Sequence, residues 1–102
     1  KLIFSVSNGG YLFVVDEPTG NILRITNIFL NYKKKKNLKP TGFIYARNKI
    51  FISLNNGSLI KLNSSTGIPE KIIKIHGSKI SRPYILNNSM YLITDNAVTK
   101  VK

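Results

Sequence analysis

The feature that most constrains this chain is a pattern that occurs twice in the same register. Residues 8–20 read NGGYLFVVDEPTG and residues 55–67 read NNGSLIKLNSSTG. A shift of 47 residues superimposes them without a gap. The matched positions are Phe4 and Phe51, Asn8 and Asn55, Gly10 and Gly57, Leu12 and Leu59, Asp16 and Asn63, and Thr19-Gly20 and Thr66-Gly67. A weaker third copy places residues 94–101 on 54–62 at a shift of about 39. Three copies at a period near 40 predict a repeat protein.

The residues between the turns predict strands rather than helices. No stretch of a dozen residues carries an uninterrupted helical stripe of apolar side chains, whereas short runs of Ile, Val, Phe, Tyr and Leu bounded by Asn, Gly, Ser and Pro are dense. Strands are predicted at 2–7, 11–16, 21–29, 43–47, 49–54, 58–63, 70–75, 82–87, 89–94 and 97–101. The fold class predicted from this pattern is all-β.

A repeat of four strands and about 40 residues is typical of a β-propeller blade of four antiparallel strands. On this interpretation residues 1–102 form a single partial propeller domain of about two and a half blades. Residues 41–75 are the full blade, 1–30 and 82–102 are partial blades, and 31–40 are a Lys-rich inter-blade loop. YLFVV and IFI, in the middle strands, are apolar on both faces, as expected where sheets pack on both sides.

The repeated unit N-x-G-x-L-x-x-[LV]-[DN]-x-x-T-G resembles the blade motif of quinoprotein-like (PQQ-like) β-propellers. The residues that carry it are Gly10, Leu12, Val15, Asp16, Thr19 and Gly20 in one copy, and Gly57, Leu59, Leu62, Asn63, Thr66 and Gly67 in the other. In that family a tryptophan usually follows the Thr-Gly glycine by four residues and packs between blades. Arg24 and Lys71 occupy those positions here. The difference favours a diverged, binding-type propeller. For Asp16 and Asn63, turn capping is the expected role.

The chemistry-bearing residues predict no catalytic, cofactor-binding or metal site. Cysteine is absent, and His76, the only histidine, is expected to be a solvated loop residue. The four acids are Asp16, Glu17, Glu70 and Asp95, and no two of them make a general acid–base pair. No phosphate-binding loop or nucleophile elbow is present.

The charge of the chain is strongly positive, at +12 from 16 Lys and Arg against 4 Asp and Glu. Lys is far commoner than Arg, so we favour compositional drift towards Ile, Asn and Lys over selection for a polyanion as the source of the excess. Its densest part is Lys33, Lys34, Lys35 and Lys36, which we consider either a solvated loop or a contact for an acidic protein surface. Nucleic acid is a weaker expectation, because only Tyr32 offers an aromatic ring there.

The resemblance implies a non-enzymatic protein-interaction scaffold, close in character to the BamB-like lipoprotein branch that serves outer-membrane protein assembly. A periplasmic or outer-membrane-associated location in a Gram-negative bacterium follows from the resemblance alone. The alternatives are a fragment of a PQQ-dependent dehydrogenase and a polyanion binder acting through the Lys-rich loop. No transmembrane segment is predicted, since no apolar run is long enough. About two and a half blades leave open edges, so the expected partners include remaining blades or further copies of the chain.

Overall fold

The computed structural model describes residues 2–30, 37–95 and 97–101, and within these ranges it consists of ten strands and no helix. The strands are β1 (Leu2–Val6), β2 (Tyr11–Asp16), β3 (Ile22–Asn27), β4 (Pro40–Ala46), β5 (Lys49–Leu54), β6 (Ser58–Asn63), β7 (Pro69–Lys74), β8 (Tyr84–Leu86), β9 (Ser89–Ile93) and β10 (Val98–Val101). The all-β prediction is confirmed.

The strands form three antiparallel sheets in chain order. The first sheet is β1-β2-β3, the middle sheet is β4-β5-β6-β7 and the third sheet is β8-β9-β10. Every pairing joins strands that follow each other in the sequence, so each sheet is a simple meander. Short turns suffice for such connections, which is why Gly and Asn recur between the strands.

Two hairpin turns show that the middle and third sheets repeat each other. Arg47 and Asn48, between β4 and β5, have φ of 53° and 62°. Asn87 and Asn88, between β8 and β9, have φ of 51° and 65°. Two consecutive residues with positive φ form the tight turn whose twist matches that of paired strands. The same turn therefore recurs after 40 residues.

The largest hydrophobic core lies between the first and middle sheets. The middle sheet contributes Ile50, Ile52, Leu54, Ile60 and Leu62, all fully buried. The first sheet contributes Leu12, with Phe4 and Val6 packed beside it, and the segment that follows β3 adds Ile28 and Phe29. Each fully buried aliphatic side chain contributes about 1.5–3 kcal/mol relative to its exposed state. This core fixes the stacking of the two sheets.

The opposite face of the middle sheet is turned towards the third sheet. Ser53 and Leu59 are fully buried on this face. Gly42 lies so close to Arg82 that a Cβ at this glycine would overlap the Arg82 side chain. Arg47 also donates a hydrogen bond to the Asn88 carbonyl at 2.9 Å. Both faces of the middle sheet are covered, which explains why the IFI run of β5 is apolar on both sides.

Strand bounds differ from the sequence prediction most clearly at two prolines. β4 begins at Pro40 instead of residue 43, with a register shift between Pro40 and Gly42 that absorbs the extra residue. Proline is compatible with the first position of a strand. β8 begins at Tyr84 instead of residue 82, after Pro83, which has no N–H to donate to a ladder.

Candidate functional site: the inter-sheet contacts of the repeat

The first copy of the repeated motif closes the turn between β2 and β3. Asp16 Oδ2 accepts a hydrogen bond from Thr19 Oγ1 at 2.7 Å, and Thr19 Oγ1 accepts one from the Asn21 amide at 3.2 Å. The Gly20 amide donates to the Asp16 carbonyl at 2.8 Å. Asp16 and Thr19 therefore satisfy polar groups of their own turn, as side chains of this type commonly do.

The second copy closes the turn between β6 and β7 in the same way. Asn63 Oδ1 accepts hydrogen bonds from the amides of Ser65 and Thr66, at 2.8 and 3.2 Å. Thr66 Oγ1 accepts one from the Ile68 amide at 3.2 Å, and the Gly67 amide donates to the Asn63 carbonyl at 2.8 Å. The Asx side chain accepts from the threonine hydroxyl in the first copy and from backbone amides in the second, while the backbone turn and the threonine acceptor are retained.

Backbone geometry matches between the two copies. Gly10 and Gly57 have φ of 89° and 88°, and Gly20 and Gly67 have φ of 73° and 72°. Register shifts occur after Val14 in the first sheet and after Lys61 in the middle sheet, two positions that are 47 residues apart. The sequence repeat is therefore also a repeat of turns and bulges.

Arg24 joins the first sheet to the repeat turn of the middle sheet. Its guanidinium donates hydrogen bonds to the carbonyls of Ser64, at 2.8 Å, and Ser65. An ideal Cβ on Gly67 would lie 2.7 Å from Arg24 Nε and 2.6 Å from Thr26 Oγ1. Glycine at position 67 thus permits both the left-handed backbone and the close approach of the neighbouring sheet. Arg24 therefore bridges the first and middle sheets.

The His76 side chain is less exposed to solvent than expected for a loop histidine. The His76 side chain is half-buried, and its Nε2 lies 3.2 Å from Asp95 Oδ2. Ser78 Oγ donates to the other oxygen of the same carboxylate at 3.3 Å. In a nucleophilic triad the histidine lies between the serine and the carboxylate. Here Asp95 lies between them, so the cluster ties the segment after β7 to the turn after β9.

Glu70 forms an ion pair with Lys49 across the middle sheet, with Lys49 Nζ 2.8 and 2.9 Å from its two oxygens. The hydrogen bond from Lys49 is the main cause that lowers the pKa of Glu70, and the Asn63 amide and the charge of Lys61 act in the same direction. Both partners remain partly exposed to solvent.

The two ends of the stack of sheets carry apolar faces that nothing in the described residues covers. The first-sheet outer face comprises Ile3, Phe13, Val15 and Ile25, and the third-sheet outer face comprises Tyr84, Tyr91, Ile93 and Val98. Two repeat-equivalent positions in the middle sheet are fully buried. Ile3 is 47% exposed whereas Ile50 is 0% exposed, and Val98 is 69% exposed whereas Leu59 is 0% exposed.

The residues predicted to contact a partner, Lys33 to Lys36, lie outside the described residues. Within the described ranges, no group of three His, Cys, Asp or Glu side chains is placed to hold a metal ion. In the same ranges, no helix is long and apolar enough to cross a membrane.

The strand order and inter-sheet contacts define a class, namely an all-β protein built from repeated antiparallel sheets that stack face to face. No family model matches the chain, and no curated protein matches it by sequence. The solved structures similar to it include the computationally designed Ika8 protein, with a TM-score of 0.69 and 16% identity over 97% of this chain. They also include the computationally designed Ika4 protein, with a TM-score of 0.71 and 15% identity over 98% of this chain.

This likeness concerns the fold alone, because sequence identity is low. The chain spans 29% of the length of the Ika8 protein and 59% of that of the Ika4 protein. Nearly all of this chain thus matches part of a longer chain in each case.

Proposed function

We propose that this chain is a section of a larger, non-enzymatic interaction scaffold in which sheets stack as blades of a quinoprotein-like propeller. The observation that carries the proposal is that Ile3 and Val98, on the two outer faces, are exposed at repeat positions that are fully buried in the middle sheet. A repeat that buries Leu59 and exposes Val98 is complete only where a neighbouring sheet covers it.

The occupant of each outer face is a further sheet of the same repeat, in the same polypeptide or in a second copy. The first-sheet outer face is equivalent to the middle-sheet face that packs on the first sheet. The third-sheet outer face is equivalent to the middle-sheet face turned towards the third sheet. The first-sheet outer face can therefore pack on a third-sheet outer face as the middle sheet packs on its neighbours, and the stack can continue head to tail.

Substitution of Val98 tests this proposal in the full chain. Val98→Ser is expected to lower the free energy of unfolding by about 1–2 kcal/mol, as at a buried site. Leu30→Ser is the matched control, because Leu30 is 68% exposed and lies off both outer faces. Its effect is expected to stay within about 0.5 kcal/mol. Equal, small effects of the two substitutions would contradict the proposal.

Size-exclusion chromatography with light scattering supplies a second test. A stable monomer of the mass of residues 1–102 alone, with both outer faces in solvent, would contradict the stacking proposal. Calcium-dependent binding of PQQ by the full-length protein would instead support the dehydrogenase alternative and overturn the scaffold.

The partner surface proposed for this scaffold is acidic, and Lys33 to Lys36 are proposed to contact it. The net charge of +12 supports attraction to such a surface. Replacing these four lysines with glutamine is expected to slow association and weaken its salt dependence. An unchanged salt dependence of association would remove this segment from the proposal. The periplasmic or outer-membrane location remains part of the same proposal.

A further inference from the structure

A partly enclosed cavity of about 340 Å³ lies between the middle and third sheets. Three cationic side chains line it, Arg47, Lys61 and Lys71, and no carboxylate does. Its other walls are mainly apolar and include Phe51, Ile73 and Met90. Cavities of this volume are of the size that holds small organic ligands.

Lys61 and Lys71 are directly paired in register across β6 and β7, so their side chains lie on the same face of the sheet. Within the described residues, neither lysine side chain makes a hydrogen bond or an ion pair. The charge of Lys61 reaches Glu70, but both oxygens of Glu70 accept hydrogen bonds from Lys49. Two ammonium groups therefore share one side of a cavity, and neither is hydrogen-bonded to a carboxylate of the described residues.

The equivalent interface between the first and middle sheets is built differently. Val14 occupies the repeat position of Lys61 and is almost fully buried there. Arg24 occupies the position of Lys71, and backbone carbonyls accept its hydrogen bonds. A half-buried lysine at a position where the first sheet carries a buried valine is costly unless an anion compensates its charge.

We propose that this cavity binds a small amphipathic anion, with a phosphate or carboxylate head group held by Lys61, Lys71 and Arg47. The apolar body of the ligand lies against Phe51, Ile73 and Met90. Ammonium and guanidinium groups donate strong, charge-assisted hydrogen bonds to such head groups. The apolar wall selects an alkyl or aromatic body over a free inorganic anion.

Isothermal titration calorimetry on the full chain tests the proposal with four probes: octyl phosphate, octanoate, inorganic phosphate and neutral octyl glucoside. The amphiphiles are kept below their critical micelle concentrations. One or both of the octyl anions are expected to bind, and the comparison between them distinguishes a phosphate head group from a carboxylate. Inorganic phosphate is expected to bind at least about tenfold more weakly, because it leaves the apolar wall uncovered.

Single substitutions locate the binding. Lys61→Gln and Lys71→Gln are each expected to weaken binding of the preferred octyl anion about tenfold, through loss of one charge-assisted hydrogen bond. Lys79→Gln is the matched control, because Lys79 is exposed, lies between β7 and β8, and does not line this cavity. Its effect is expected to stay within about twofold, since long-range charge effects are screened by salt.

Three results would overturn the proposal. These are failure of both octyl anions to bind, comparable binding of octyl glucoside, and equal weakening by Lys79→Gln and Lys71→Gln. Lys71 is exposed, so its substitution is not expected to affect folding, and the test does not depend on the stability of the Lys61 variant.

Discussion

Alanine substitution at two equivalent glycines separates the backbone contribution of the repeat turn from its inter-sheet contact. Gly20 and Gly67 have φ of 73° and 72°, so alanine meets the same left-handed backbone at both positions. A Cβ at Gly20 has nothing within 4 Å. A Cβ at Gly67 would lie 2.6 Å from Thr26 Oγ1 and 2.7 Å from Arg24 Nε. Only the second substitution disturbs the packing of one sheet on the next.

The expected magnitudes follow from these two environments. The left-handed conformation costs a residue with a Cβ roughly 1–2 kcal/mol, so Gly20→Ala is expected to lower the free energy of unfolding by about that amount. Gly67→Ala carries the same cost and adds overpacking of about 1–3 kcal/mol, because Thr26 and Arg24 must move aside. The difference between the two variants measures the contact between the first and middle sheets.

Urea unfolding followed by far-ultraviolet circular dichroism is the appropriate assay, since the chain has no tryptophan for fluorescence. Both variants are compared with the wild type at the same protein concentration. A double-mutant cycle with Arg24→Ala tests the steric origin, since shortening Arg24 is expected to recover part of the Gly67→Ala loss. Equal losses for Gly20→Ala and Gly67→Ala would refute the inter-sheet contact as the reason for glycine at position 67.

Three further predictions address other contacts of the repeat. Gly57→Ala is expected to destabilise the fold more than Gly67→Ala in the same urea assay, because its Cβ would overlap the backbone carbonyl of His76, which cannot rotate away. Arg24→Met is expected to cost about 1–2 kcal/mol through loss of its hydrogen bonds to the next sheet, and Arg24→Lys less; equal costs would contradict the two-bond geometry. The pKa of Glu70 is lowered in the folded state from its ordinary value of about 4.5. Its pairing with Lys49 therefore stabilises the fold at pH values above about 4.5, and this stabilisation is lost as the pH falls through the lower pKa of the folded state. Glu70→Gln is expected to flatten that part of the acid dependence of unfolding, and an unchanged profile would contradict the pairing.

Local chemistry made the turns of the repeat predictable from sequence. Glycine in a turn between apolar runs predicts positive φ, and Gly10, Gly20, Gly57 and Gly67 all show it. The bulges in the neighbouring strands recur with the same spacing of 47 residues as those glycines. These features depend on a few consecutive residues, so sequence carries them well.

Contacts between sheets were less accessible to sequence reasoning. Nothing in the sequence indicated the role of Arg24, which bridges two sheets through backbone carbonyls in the structure. Nor did sequence spacing link His76 with Asp95, which lie 19 residues apart and meet through packing of the third sheet. The cationic cavity depends on the pairing of Lys61 with Lys71 across β6 and β7, and predicting this pairing would have required the register of the two strands.

The sequence by itself determined that the chain is all-β and that its turns recur with the repeat, because turn residues and apolar runs act through local backbone preferences. Only the tertiary structure decided which faces are covered. Leu59 and Val98 are both apolar residues at one repeat position, yet the first is fully buried and the second is largely exposed. Burial depends on the sheet that lies opposite, and nothing local to either residue specifies that neighbour.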